Sequence, residues 1–273
     1  MKKPPLKMTV DYVFKQIFGD ERNIGILRAF LKAALDLPDA EYDTLTLADP
    51  HLKREFRDDK SGVLDIKVRT KSGYIIHVEI QVLTAGGLRE RFTYYAARLL
   101  AEQLRRGGQY RLLERVISII IMDGILVPEE EGYYNKYALL NRETGKAFTN
   151  LLEITVLELP KLPMADDGSG IWKWAKLLKS RTEEEYMEAA ARDADIGKTV
   201  VKVMELSEDE RERMLADSRE MFLWDCWIRE HENYEAGAAE ERLEIAGNLR
   251  GLGVPADKIA RATGLSLGEI EKL

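Results

Sequence analysis

Between residues 62 and 82, in GVLDIKVRTKSGYIIHVEIQV, apolar and polar residues alternate almost without a break. A period of two predicts a β-hairpin with one apolar face. Lys71, Ser72 and Gly73 at its centre suit a three-residue loop, a type I turn followed by a left-handed residue that glycine adopts without steric cost. That turn sets Thr70 opposite Tyr74, Lys67 opposite His77, Asp65 opposite Glu79 and Val63 opposite Gln81. Leu64, Ile66 and Val68 then share the apolar face with Ile76, Val78, Ile80 and Val82. A two-residue Ser-Gly turn would set Asp65 against Ile80 and mix the faces, so the hydrophobic pattern disfavours it.

Other periodicities frame the hairpin. Residues 11–19 and 23–35 predict two helices, the second with the stripe Ile24, Leu27, Phe30, Leu31 and Ala34 behind a capping Asn23. Residues 42–52 are ambiguous and compatible with a first strand. Residues 88–106 predict a helix with Phe92, Tyr95, Ala96, Leu99, Leu100 and Leu104 on one side, ended by Gly107 and Gly108. The apolar run 115–123 has the character of a strand buried on both faces. Residues 136–141 and 151–159 predict two more strands joined by the turn at 142–146. Helix, strands, helix and strand in this order predict an α/β core.

The Pro, Gly and Asp residues of 160–170 form the best linker in the chain, dividing it into an α/β domain over 1–163 and a helical region over 170–273. Trp172, Trp174, Leu177 and Leu178 start one helix, Thr182 with Glu183 to Glu185 opens another, and Ser207 to Glu210 suits a capping box at the head of a long charged helix. The four tryptophans, at 172, 174, 224 and 227, are spaced as helical core residues.

Composition narrows the function classes. A chain of 273 residues with 45% hydrophobic content buries a sizeable core. One cysteine, Cys226, excludes an internal disulfide, and with no Cys/His cluster there is no structural zinc signature. No run of about 18 apolar residues appears, and the N-terminus carries two prolines with no apolar stretch behind them. The expectation is a cytoplasmic protein with no membrane partner. The net charge of −7 argues against indiscriminate coating of nucleic acid. Local basic patches at 51–57 and at Arg89, Arg91, Arg98, Arg105, Arg106 and Arg111 suit either phosphate contacts or a solvated face.

The chemistry concentrates on the hairpin. Asp65 and Glu79, facing one another, would lie about 5 Å apart and repel. Mg²⁺ would offset the repulsion, since it favours one or two carboxylates plus waters and phosphate oxygens over a complete protein cage. Lys67 and His77 beside the pair offer the alternative, a solvated polar face that needs no ion.

Asp65, followed by Glu79-Ile80-Gln81, resembles the PD-(D/E)XK nuclease signature in its E-x-Q form. With DYVFKQIFG at 11–19, VLDI at 63–66, HVEIQ at 77–81 and RFTYY at 91–95, the chain resembles the recombination-promoting nuclease family, also described as transposase-like, over about residues 9 to 162. The resemblance implies a restriction-endonuclease-like core of order αβββαβ, a mixed sheet flanked by helices, followed by the helical region. It further implies metal-dependent hydrolysis of DNA phosphodiesters, with DNA as the partner and a link to recombination or mobile elements. Asp65, Glu79 and the carbonyl of Ile80 would hold Mg²⁺, with Mn²⁺ as a substitute. Gln81 stands where most of the superfamily has lysine; it can orient a water but supplies no positive charge. Lys67 could deliver that charge from the neighbouring strand, with Lys60 as a second candidate. Asp11 suits either support of the metal through water or a helix N-cap. Arg91 and Tyr95, four residues apart on one helix, suit a phosphate clamp or a brace for the metal ligands, with Tyr95 equally suited to core packing.

His51 and His231 stand alone in the sequence. The end of the chain, residues 252–273, is similar to helix-turn-helix sequences: Pro255 suits a first turn, Gly264 a sharp corner and Ser266 with Glu269 a capping box. Its second helix would present Glu269, Glu271 and Lys272, a poor surface for phosphates, so packing or homo-oligomerisation through the helical region is the expectation. Two functions remain: an Mg²⁺-dependent DNA endonuclease, and a nuclease-fold protein with cleavage weakened or lost that acts by binding DNA or protein.

Overall fold

The computed structural model describes residues 3–51, 65–82, 86–104 and 107–273, the side chains of residues 230, 231, 233, 234 and 236 excepted. In it the hairpin is formed by β2 (Ile66–Arg69) and β3 (Ile75–Gln81) in the expected register, with Ile66 opposite Val78 and Lys67 opposite His77. Gly73 takes φ +94°, its N–H donates to the Thr70 carbonyl at 3.0 Å, and the Thr70 N–H donates to the Tyr74 carbonyl at 3.0 Å. A buried carboxylate pins this turn from outside. Glu41 accepts from Thr70 Oγ1 at 2.6 Å, Ser72 Oγ at 2.6 Å and the Ser72 N–H at 3.2 Å, which holds its pKa below the usual carboxylate range, the Ser72 hydroxyl contributing most.

The described strands form one six-stranded sheet of order β1-β2-β3-β4-β6-β5. The edge strand β1 (Thr46–Leu47) lies in the ambiguous segment and runs antiparallel to β2. β4 (Val116–Met122) and β6 (Leu152–Glu158) extend the sheet parallel to β3, and β5 (Tyr134–Ala138) closes it antiparallel to β6. Parallel neighbours need a crossover, and α3 (Leu88–Ala101) supplies it between β3 and β4. Leu88 and Phe92 pack on Ile120, Met122 and Val156, while Leu99 packs on Ile75 and Val116.

The opposite face carries the main core. Ile66, Val68, Ile76, Val78 and Ile80 meet α1 (Asp11–Phe18), α2 (Ile24–Ala34), α4 (Gly170–Lys179), α5 (Glu183–Ala190) and α6 (Ala194–Glu208). Phe18, Phe30 and Trp174 sit with ring centroids 5.4 to 5.9 Å apart, within the range of favourable edge and tilted contacts. The linker at 160–170 therefore does not mark a change of core: helices on both sides of it share one. The chain packs as two compact units, 1–219 and 220–273.

Some local expectations change. Asn23 makes no capping bond and donates instead to the Gln16 carbonyl. Ser207 lies inside α6, bonded to the Val203 carbonyl and the Leu6 N–H. Asp209 receives the N–H groups of Arg211 and Glu212 at the start of α7 (Glu210–Gly251). Trp172 and Trp174 are buried, but Trp224 is half exposed.

In the second unit, α8 (Ala256–Thr263) and α9 (Leu267–Glu271) close a small cluster of Ala246, Ile259 and Ile270. Gly264, at φ +74°, makes the corner, and the Ser266–Glu269 capping box is formed. No helix among the described residues is long and apolar enough to cross a membrane.

Candidate active site

Asp65 precedes β2 by one residue, so the register carries it to Glu79 across the hairpin. Its Oδ2 accepts the Ile80 N–H at 2.9 Å, and its Oδ1 lies 2.8 Å from Lys15 Nζ of α1. Glu79 Oε2 lies 3.0 Å from His77 Nε2, and Glu79 Oε1 lies 3.7 Å from Arg91 Nη2. The same Arg91 nitrogen donates to Gln81 Oε1 at 2.9 Å. The Arg91 guanidinium sits 5.9 Å from the ring centre of Tyr95 and 5.0 Å from that of Phe92, within cation–π range. Asp65, Glu79, Ile80, Gln81, Arg91 and Tyr95 are thus brought together by the hairpin register and by one face of α3.

On β3 the polar face of the hairpin is buried: His77 is 0% and Glu79 7% exposed, with Arg91 and Tyr95 of α3 beside Glu79, because a crossover helix between parallel strands must lie on one face of the sheet; Asp65, Lys67 and Gln81 stay partly exposed. Burial, and next the charge of Glu79, push the Asp65 carboxyl above the usual carboxylate range, while Lys15 and the Ile80 N–H oppose the shift. Burial likewise raises the Tyr95 hydroxyl, and the ring packs beside Ile75, Leu99 and Val116.

The remaining candidates are placed differently. Lys67 stands opposite His77, and its carbonyl accepts the Ala48 N–H at 2.8 Å. Its charge also reaches Asp49, whose pKa is lowered chiefly by hydrogen bonds from His51. Asp11 is the first residue of α1, behind an N-cap Val10. Its carboxylate accepts the Tyr12 N–H and pairs with Arg219 at 2.7 Å, contacts that brace α1 against the start of α7 instead of reaching Asp65 or Glu79. Lys60, Val63, residues 52–57, Arg105 and Arg106 lie outside the described residues.

One partner of the carboxylates was not legible in the sequence. Lys15 lies within the DYVFKQIFG stretch, four residues after Asp11, a spacing that suggests a local helical ion pair. The structure instead gives Asp11 to Arg219 and Lys15 to Asp65. The available signal was a lysine set between Phe14 and Ile17 on a strongly amphipathic helix. His77, expected beside Lys67 on an open face, is buried against Glu79, with its Nδ1 lacking a hydrogen-bond partner among the described residues.

A hard divalent cation fits this donor set. No group of three or more His, Cys, Asp or Glu side chains is placed to hold an ion among the described residues. Asp65 and Glu79 would make a two-carboxylate site of the kind that Mg²⁺ completes with waters and phosphate oxygens. Desolvation and mutual repulsion at the pair are costs that such an ion relieves.

The family model for PD-(D/E)XK nuclease family transposases matches residues 8–230. Comparison with curated proteins and with solved structures gave no match. The chain belongs to the PD-(D/E)XK nuclease transposase family, and its mixed sheet between helical layers is a restriction-endonuclease-like fold.

Proposed function

From that membership as premise, we propose that the protein is a divalent-metal-dependent endonuclease that hydrolyses DNA phosphodiester bonds in recombination or mobile-element movement. The observation that carries the reading is the buried pair Asp65 and Glu79, joined across the hairpin and flanked by Lys15 on one carboxylate and by His77 and Arg91 on the other. Asp65, Glu79 and the Ile80 carbonyl would hold Mg²⁺, with Mn²⁺ as a substitute, and the bound ion would supply Lewis acidity to the scissile phosphate and a lowered pKa to the attacking water.

The other roles belong to the chain itself. Gln81, held through its carbonyl oxygen by Arg91, orients water. Arg91 fixes Gln81 and Glu79 together, and His77 fixes the second oxygen of Glu79. Lys15, the cation already against Asp65, supplies the positive charge that Gln81 lacks to the developing phosphorane; Lys67 is the alternative donor from the next strand.

Plasmid nicking with Mg²⁺ and with EDTA tests this, run on the wild type and on Asp65→Ala and Glu79→Ala. Metal-dependent nicking lost in both variants is expected. Absence of metal-dependent cleavage across supercoiled, linear and single-stranded DNA would leave a nuclease-fold protein that acts by binding.

A further inference from the structure

Beyond the carboxylates, the same end of the sheet opens into a cleft of about 370 Å³ beside α4, lined by Asp123, Trp172, Lys176, Lys179, Arg181 and Glu185 among others. Asp123 ties it to the candidate active site. Its N–H donates to the carbonyl of Gln81, the last residue of β3, at 2.9 Å. Both strands end here, so a strand of nucleic acid lying across this edge passes from the Gln81 end to the cleft.

Charge in the cleft is unevenly spent. The Asp123 carboxylate is engaged by Arg181 Nη2 at 2.6 Å. Glu185 accepts the backbone N–H groups of Arg181 and Thr182 at 2.6 and 3.2 Å, as part of the α5 capping box. Arg181 is further fixed through Nη1 to the carbonyls of Leu178 and Ser180. The ammonium groups of Lys176 and Lys179 make no hydrogen bond or ion pair with the described residues, though the Lys176 charge, after the Arg181 and Thr182 backbone N–H groups, helps hold the Glu185 carboxyl below its usual range. In a chain of net charge −7, two ammonium groups left unpaired around a concave site mark a place for an anion. Met164, wholly exposed on the lip, adds an apolar contact of the kind a sugar or base edge accepts.

We infer that this cleft grips phosphates of the substrate's nucleic-acid backbone, with Lys176 and Lys179 as the phosphate contacts and the Asp123–Arg181 pair as the rigid joint that fixes the cleft to the β3 end. The inference rests on the nuclease reading above. It assigns substrate binding to α4, in the part of the chain that the sequence alone set apart as a helical region.

The test is fluorescence anisotropy of a short labelled DNA duplex in EDTA, across a salt series, with the full chain and its Lys176→Gln/Lys179→Gln variant. Loss of two phosphate contacts lowers the slope of log K against log salt by about 1.8 and weakens binding by up to about 60-fold at ~0.1 M salt. Lys176→Arg/Lys179→Arg, which keeps both charges, retains most of the binding and controls for folding. An unchanged slope with affinity within about twofold overturns the inference. So does saturable binding of inorganic phosphate that the Gln variant loses while its duplex slope stays wild-type, which makes the cleft a small-anion site. Nicking by the wild type with undiminished duplex binding by the variant sinks the cleft and leaves the nuclease. Duplex binding lost in the variant, with no nicking by the wild type, sinks the nuclease and leaves the cleft. A wild type that neither binds nor nicks overturns both.

Discussion

Replacing Lys15 by Met decides which cation serves the site. Lys15 Nζ lies 2.8 Å from Asp65 Oδ1, with the lysine side chain 36% and the aspartate 9% exposed. At an effective dielectric of about 20, a pair at that distance attracts by roughly 6 kcal/mol before desolvation and side-chain entropy are counted. Charged hydrogen bonds deliver about 1.5–3 kcal/mol net, and solvent around the partly exposed lysine reduces this to about 1–2 kcal/mol of stability. Loss of the cation matters more during catalysis. Charge stabilisation by one preorganised group is worth about 10²–10³ in kcat, so Lys15→Met lowers kcat for metal-dependent nicking about 100-fold, with KM changed far less. Lys15→Arg restores part of the rate, and Lys67→Ala stays within about threefold of wild type if its charge plays no part in the transition state. Single-turnover nicking at saturating Mg²⁺ reads the rates, and thermal melting checks that each variant folds. The reasoning fails if Lys15→Met keeps its kcat while Lys67→Ala loses two orders of magnitude.

Three further perturbations separate the forces at the hairpin. Arg91→Met removes a donor from Gln81 and a cation from Glu79, and loss of such an outer partner costs about 10–100-fold in metal affinity or activity; Mg²⁺ titration of nicking reads it, and a wild-type titration would show that the brace is idle. Asp65 has its pKa raised by burial and by Glu79, so the folded state holds its proton longer and the metal-free protein loses stability as pH rises through the folded value. Metal-free Asp65→Asn therefore gains on the wild type toward neutral pH, and urea melts at several pH values should show the gap closing in acid. Glu41 has the opposite sign: its pKa is lowered by the Ser72 and Thr70 hydroxyls. Its contribution is present above the unfolded value and lost as pH falls through the folded one. Glu41→Gln costs about 2 kcal/mol near neutral pH and less in acid, and a pH-independent cost in the same melts would contradict the assignment.

The parts of the fold legible in the sequence are those set by local period and turn chemistry. Alternation and Gly73 sufficed to place Lys67 opposite His77, because a one-residue slip would have turned Ile66, Val68, Ile76, Val78 and Ile80 away from the core. The apolar run of β4 and the hairpin of β5 and β6 were legible for the same reason. Long-range packing was not. Residues 160–170 have a linker's composition, yet Trp172 and Trp174 beyond them complete the core begun by Phe18 and Phe30, since turn residues mark where a chain bends and carry no information about which surface it returns to. The partners of charged residues failed for a related reason: Lys15 and Asp11 are neighbours on one helix, and only the tertiary placement of Asp65 and Arg219 separates them.

That failure bears on how the site is built. β3 carries Gln81 where the proposed catalysis calls for a cation, and the cations beside the carboxylates come from elements outside the strand. α1 brings Lys15 to Asp65 and α3 brings Arg91 to Glu79 and Gln81. Each carboxylate therefore has its own cation, and the two helices are fixed independently: α1 through Asp11 and Arg219, α3 through its packing on β4 and β6. A hairpin carrying two buried acids would be unstable by itself, because like charges across a strand pair repel and desolvation adds to the cost. It is tolerable where both helices are docked. The same dependence makes the metal-free site a product of the whole first unit, so changes at Arg219, far from the carboxylates in sequence, should reach them through the seating of α1.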